Sequence, residues 1–264
     1  VDDEIEKLAV LKLTETGSST VEDMVAKEAP LTIMLNNQEL VTLLCSPADL
    51  KYLAIGFLSS EGLLRSKNEI KRITVDDRRG IVRVETEGDE EPARDALFKR
   101  FITSGCGRGA SFYSSADAQV QRKVESKIEL STLRVMALVK EFQHRSQIYR
   151  TTGGVHSAAL CDTGNIIVFS EDIGRHNAVD KIFGECLLND IATDDRIIIT
   201  SGRISSEIVL KIARRNVPII VSKSAPTNLG VKLADNLGVT LIGFVRGKRM
   251  NVYTHSERIA RDEK

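Results

Sequence analysis

Tryptophan is absent from this chain, aromatic residues make up only 5%, and proline occurs 5 times in 264 residues. So thin an aromatic set gives no stacking platform for single-stranded nucleic acid. An excess of either charge is missing too. The 37 basic residues balance 37 acidic ones, which gives no support for general nucleic-acid binding and leaves only a local basic patch open. No apolar run approaches the roughly 18 residues of a membrane span, so no membrane partner is expected. The first thirteen residues mix charges with short apolar runs, unlike a signal peptide. There is no Walker P-loop, no Gly-x-Gly-x-x-Gly between a strand and a helix, and no Gly-x-Ser-x-Gly elbow. Cysteine is scarce. Cys45, Cys106, Cys161 and Cys186 are scattered without pairing-like spacing, which points to a reducing compartment. Cys45, Cys161 and Cys186 lie beside apolar neighbours and read as core.

Cys106 is different. It sits in Thr103-Ser104-Gly105-Cys106-Gly107-Arg108-Gly109-Ala110, a polar stretch whose glycines leave the backbone open to close approach. Arg108 favours thiolate over thiol. A thiolate on such a loop suits handing over sulfur, an acyl group or electrons. The ordinary alternative is a small residue in a loop, although free cysteines are more often buried.

The first half reads as α+β. Leu31–Leu35 and Glu39–Cys45 form a hairpin through Asn36-Asn37. Ser46-Pro47 has the chemistry of a helix start, and Leu50, Leu53, Ala54, Phe57 and Leu58 give that helix one apolar face. Ile70–Val75 and Ile81–Glu85 predict a second hairpin. From Ser131 the texture changes. A helix over Ser131–Gln143, with Leu133, Met136 and Val139 inward, precedes strands at Ser157–Cys161 and Ile166–Ser170. Helix and strand then alternate: Arg175–Leu188, Arg196–Thr200, Ser205–Arg214, Pro218–Ser222, Thr227–Leu237 and Thr240–Val245. Met250–Tyr253 is expected at an edge. Such alternation predicts a largely parallel sheet covered on both faces. The fold class is therefore α/β, with a smaller N-terminal α+β domain over 1–120, ending in the Cys106 loop, and a second domain over 121–264.

Ligands of such sheets bind beyond the carboxyl ends of the strands. Four connections lie there: Glu171–Asn177, Thr200–Glu207, Ser222–Asn228 and Gly243–Arg249. Each holds Gly or Ser/Thr, and each holds a cation. Helix N-termini favour anions, Arg175 and Arg203 offer bidentate contacts to phosphate, and Arg246-Gly247-Lys248-Arg249 gathers three cations round a glycine. The expectation is a pocket for a phosphorylated, nucleotide-like ligand. The candidate contacts are His156, Arg175, His176, Asn177, Ser201, Gly202, Arg203, Ser224, Thr227, Phe244, Val245, Arg246, Gly247, Lys248 and Arg249. The plainer alternative is that the Ser, Thr and Asn residues are helix caps, that 246–249 is a solvated turn, and that His156 is a hydrogen-bonded core residue. His144 and His255 read as surface residues.

The order of elements in the second half matches the three-layer α/β/α arrangement of cytidine deaminases. Those enzymes place a His or Cys at one helix start and Cys-x-x-Cys at the next to hold zinc. Here His176 stands near the first place, but the second reads Ser201-Gly202-Arg203-Ile204-Ser205-Ser206, and no cysteine follows Cys186. No zinc and no metal-ligand set is expected.

Glu171-Asp172-Ile173-Gly174-Arg175-His176-Asn177-Ala178-Val179-Asp180-Lys181, Thr200–Glu207, Ser224-Ala225-Pro226-Thr227 and the Cys106 loop together resemble the formate dehydrogenase accessory sulfurtransferase family, FdhD/NarQ. Leu31–Leu44 and Leu50–Gly62 also look like that family, so the resemblance spans roughly Glu28 to His255. It implies a cytoplasmic homodimer that takes sulfur from a cysteine desulfurase as a persulfide on a loop cysteine, here Cys106. The sulfur then passes to the molybdenum (or tungsten) bis(molybdopterin guanine dinucleotide) cofactor of formate dehydrogenase, which the protein holds as cargo. One departure stands out: many members carry Cys-x-x-Cys in the loop, where this chain has Gly109. Cys106 would act alone, since persulfide exchange needs one attacking thiolate per step. The alternatives are a non-catalytic carrier of the same cofactor and a nucleotide-acting, deaminase-like enzyme.

Overall fold

A computed structural model describes residues 3–87, 101–102, 110–111 and 123–260. The elements in chain order are β1 (Ile5–Thr14), β2 (Gly17–Ala26), β3 (Ala29–Leu35), β4 (Gln38–Cys45), α1 (Leu50–Ser60), β5 (Ile70–Asp76) and β6 (Ile81–Thr86). Two-residue strands β7 (Phe101–Ile102), β8 (Ala110–Ser111) and β9 (Leu130–Ser131) lead to α2 (Thr132–Arg145), α3 (Gln147–Thr152), β10 (His156–Cys161) and β11 (Ile166–Asp172). Then come α4 (Arg175–Leu188), β12 (Ile197–Thr200), α5 (Ser206–Arg214), β13 (Ile219–Ser222), α6 (Asn228–Leu237), β14 (Thr240–Arg246), β15 (Arg249–Val252) and β16 (Ile259–Ala260). Among the described residues no helix is long and apolar enough to cross a membrane.

The second half is a six-stranded sheet in the order β11-β10-β12-β13-β14-β15. Only β12, β13 and β14 run parallel; β10 is antiparallel to both neighbours, and β15 is antiparallel to β14. The largely parallel sheet expected from the sequence is thus a mixed one. The reason is local: β10 and β11 are joined by a tight turn at Asp162-Thr163-Gly164, and short turns make antiparallel pairs. Alternate residues of the central strands feed two cores. Ala158, Leu160, Ile198, Ile220 and Leu241 pack under α4, α5 and α6, while Ala159, Ile197, Ile199, Ile219, Val221 and Ile242 pack under α2. These are the three layers the sequence predicted.

Two details differ from expectation. Helix α2 buries Val135, Leu138, Val139 and Phe142, whereas Leu133 is 65% exposed. Two faces of α2 carry apolar residues, and periodicity alone does not separate them. Ser46 does not cap α1. Asp49 stands at the N-cap in a left-handed conformation, and Ser46 reaches across to the second half instead.

The N-terminal unit is a four-stranded sheet, β4-β3-β6-β5, with α1 on one face. Its junction with the second half is close. A Cβ on Gly56 of α1 would lie 1.7 Å from the Asp180 carbonyl oxygen, and one on Gly184 of α4 would lie 1.9 Å from the Tyr52 carbonyl oxygen. Only glycine lets the two helix backbones meet at this distance. The hairpin β1–β2 stands apart as a sheet of its own. The sequence reading missed it because both of its faces are largely exposed and leave no buried-face alternation.

Candidate functional site

Cys106 and its loop lie outside the described residues. Cys45, Cys161 and Cys186 are buried as expected, and burial pushes each thiol up to about 12. At neutral pH they are inert thiols rather than nucleophiles.

The topology gathers the four polar connections at one edge. β11, β12, β13 and β14 all end there, and β10 begins there, with His156 paired opposite Asp172. What the connections do at that edge differs.

The connection after β11 is turned inward. Asp172 is fully buried; its carboxylate takes Lys181 Nζ at 2.8 Å, the Ser46 amide at 3.1 Å, and the Gly174 amide and Asn177 Nδ2 at 2.9 Å each. Lys181 also donates to the Glu171 carbonyl, and Asn177 donates to the Leu44 carbonyl of β4. The Ser46 hydroxyl accepts from the Ile173 amide. Glu171 accepts from the Ile148 and Tyr149 amides and so anchors α3. A second buried pair lies one turn along α4. Lys211 donates to both oxygens of Asp180 at 2.9 Å, and Ser60 donates to Asp180 at 2.6 Å. Burial alone would lower the Lys211 pKa, but Asp180 and Glu61 overcome it and raise the value. The stretch from Glu171 to Lys181 is thus chiefly a joint between the two halves.

The connections after β12, β13 and β14 face outward. They border a cleft of about 990 Å³, whose wall includes His156, Ser201, Lys223, Ser224, Arg246 and Gly247 on the sheet side, and His144, Tyr149 and Arg150 on the α2–α3 side. Among the described residues no carboxylate lines it. Cations without acids in a concave site favour an anion. Ser201 Oγ accepts from the Ser157 amide at 3.0 Å and lies 3.2 Å from His156 Nδ1. Burial, then Arg175 and His176, lower the His156 pKa, so at neutral pH the imidazole is uncharged.

Phe244 shows how the outer wall is set. Its φ of 54° is a left-handed conformation, costly for a bulky side chain. It falls where the β14–β15 register shifts. The Phe244 amide donates to the Ser224 carbonyl at 3.1 Å. Arg246 lies over the Phe244 ring at 5.6 Å and donates to the Lys223 carbonyl at 3.3 Å. These contacts tie the β13 and β14 connections together and hold a guanidinium at the cleft mouth.

Of the residues singled out in the sequence, His156, Ser201, Ser224, Arg246 and Gly247 line the cleft. The others lie elsewhere. Arg203, Lys248 and Arg249 are exposed beyond it, the last two on the β14–β15 hairpin. Arg175 is buried, and Gly202 gives its stem room: a Cβ at 202 would fall 2.9 Å from Arg175 Cβ. His176 Nε2 stands 3.1 Å from Glu207 but off the line of a hydrogen bond. Thr227 caps α6 through the Gly230 amide, and Val245 packs in the core under α2. The sequence reading missed Tyr149 and Arg150, because a helix as short as α3 leaves too few turns to show a period. Among the described residues no group of His, Cys, Asp or Glu is placed to hold a metal.

Residues 26–260 match the FdhD/NarQ family. The chain is 48% identical over 241 residues to the sulfur carrier protein FdhD of Bacillus subtilis strain 168, covering 91% of this chain and 92% of that protein. It is 46% identical over 256 residues to the sulfur carrier protein FdhD of Bacillus pumilus, covering 97% and 98%. The crystal structure of a "putative formate dehydrogenase accessory protein from Desulfotalea psychrophila" superimposes with a TM-score of 0.83 at 29% identity, over 97% of this chain and 100% of that one.

Proposed function

This chain belongs to the FdhD/NarQ family, and from that premise we propose that it is a cytoplasmic sulfur carrier that serves formate dehydrogenase. Cys106 is the carrying residue. Its thiolate attacks the outer sulfur of a cysteine desulfurase persulfide, the donor S–S bond breaks, and the donor cysteine leaves as thiolate. Cys106 is then the persulfide. The recipient is the molybdenum or tungsten bis(molybdopterin guanine dinucleotide), held as cargo. Its metal takes the outer sulfur, supplying the electron pair of the new bond, and Cys106 is released as thiolate.

The cleft, lined by cations and no carboxylate among the described residues, carries this reading. Its volume suits a nucleotide-sized ligand, and Arg246, Lys223 and Arg150 supply the cations that phosphates need. His156, an uncharged imidazole in the cleft wall, suits a polar group that it can hydrogen-bond without adding charge. The names of the relatives support the sulfur half.

The test is mass spectrometry after incubation with a cysteine desulfurase and cysteine. One added sulfur on the Cys106 peptide, absent from Cys106→Ala, is the expected result. Equal sulfur loading of the variant would overturn the assignment. Gly109 in place of a second loop cysteine favours one other reading, a carrier of the cofactor alone. That reading predicts that Cys106→Ser sustains full formate dehydrogenase maturation in cells.

A further inference from the structure

The wall of the cleft opposite the sheet stands on a short helix with little of its own to hold it. α3 has six residues, well below the length at which a helix persists alone. It buries only Ile148, and just past its C-terminal end Gly154 lies against Ala26 of β2. The amides of its first turn have no partner within the helix. Ser146 stands at the N-cap, but its hydroxyl donates back to the Phe142 carbonyl of α2 and caps nothing in α3.

The cap comes from another element. Glu171 of β11 accepts the Ile148 amide on Oε2 and the Tyr149 amide on Oε1, each at 3.1 Å. Oε1 also accepts from the Ser157 hydroxyl at 3.3 Å. The Ser157 amide in turn donates to Ser201 Oγ, which lies 3.2 Å from His156 Nδ1. One carboxylate thus ties the wall that carries Tyr149 and Arg150 to the strand that carries His156. Glu171 itself is half-buried and is not part of the cleft lining.

We propose, taking the cleft as the nucleotide site, that Glu171 is a positioning residue: without touching the ligand, it holds α3 where Tyr149 and Arg150 face the nucleotide. A wall formed in advance binds more tightly than one that must be ordered on binding. Charge and position here act in opposite directions. By charge alone, Glu171→Gln removes a negative group near a phosphate site and would strengthen binding. By position it weakens binding, since Gln offers one acceptor oxygen where the carboxylate offers two.

The experiment titrates GDP into the full-length protein and into Glu171→Gln, and follows amide hydrogen exchange in both. Binding by the variant should be about tenfold weaker, the loss of one bond to a charged acceptor. Exchange should quicken over 148–152 and stay unchanged in β12. In a background of Tyr149→Ala with Arg150→Ala, the same change should cost less than about twofold, because the side chains that α3 presents are already gone. Affinity that rises or holds steady in Glu171→Gln overturns the proposal, and so does a tenfold loss that persists in that background. Should the variant fail to fold, exchange in the wild-type protein decides: the Ile148 and Tyr149 amides should be protected without ligand, and free exchange there contradicts the role of Glu171. Failure of the wild-type protein to bind GDP would instead sink the nucleotide reading of the cleft, and the exchange of α3 would still show whether Glu171 holds it.

Discussion

Two polar segments leave the same edge of the sheet and end in opposite environments. The Glu171–Lys181 stretch is drawn in: its carboxylates and amides are spent on Lys181, Ser46, Leu44 and the amides of α3. The Ser201, Lys223–Ser224 and Arg246–Gly247 segments are held at the surface of a cleft with their cations outward. Polar residues at helix starts are thus no single kind of signal. A buried carboxylate that accepts four bonds is a joint, whereas a cation among uncharged neighbours in a cleft is left free of such a joint and is the one proposed to meet a ligand.

The joint should be the part least tolerant of change. Gly184→Ala places a methyl group against the Tyr52 backbone, which has no flexible end to yield. Urea denaturation should show a loss of about 3 kcal/mol or more; a loss below about 1 kcal/mol would mean that α1 and α4 slide apart freely. Lys181→Met comes next. It leaves Asp172 charged and buried, and breaking such a pair costs about 3–5 kcal/mol. The same variant should retain the cleft's affinity for GDP wherever it is folded, because Lys181 does not touch the cleft wall. An affinity lost out of step with folding would merge the two regions and break the contrast.

A smaller effect concerns His156. Its folded pKa is lowered from the ordinary value of about 6.5, so below that value the unfolded chain binds the extra proton. Stability must then fall as pH drops through this window and be indifferent to the residue above it. His156→Gln should flatten the difference between urea midpoints at pH 7.5 and 5.5. An NMR titration of wild-type His156 with a midpoint above 6.5 would contradict the assignment.

Much of the architecture was legible in the chain. The alternation after Ser131 gives the helices and strands because each central strand buries both faces, and the four connections share an edge because the strands that carry them run the same way. What was not legible depends on distance in sequence. Nothing near Ser46 says that its partner is Asp172, and nothing near Gly56 says that Asp180 will press on it. Asn177 and Thr227 look alike as candidate ligands, yet one ties α4 to β4 and the other caps α6. Phe244 gave no sign of its left-handed turn, since a bulky residue is the last expected there.

The division between joint and cleft is tested most directly by titrating GDP into the full-length protein and into Arg246→Ala. Loss of a charge-assisted phosphate contact should weaken binding about tenfold to a hundredfold, with the thermal midpoint unchanged because Arg246 is exposed. Equal affinity in the two proteins would contradict the proposed phosphate contact at the β14 connection.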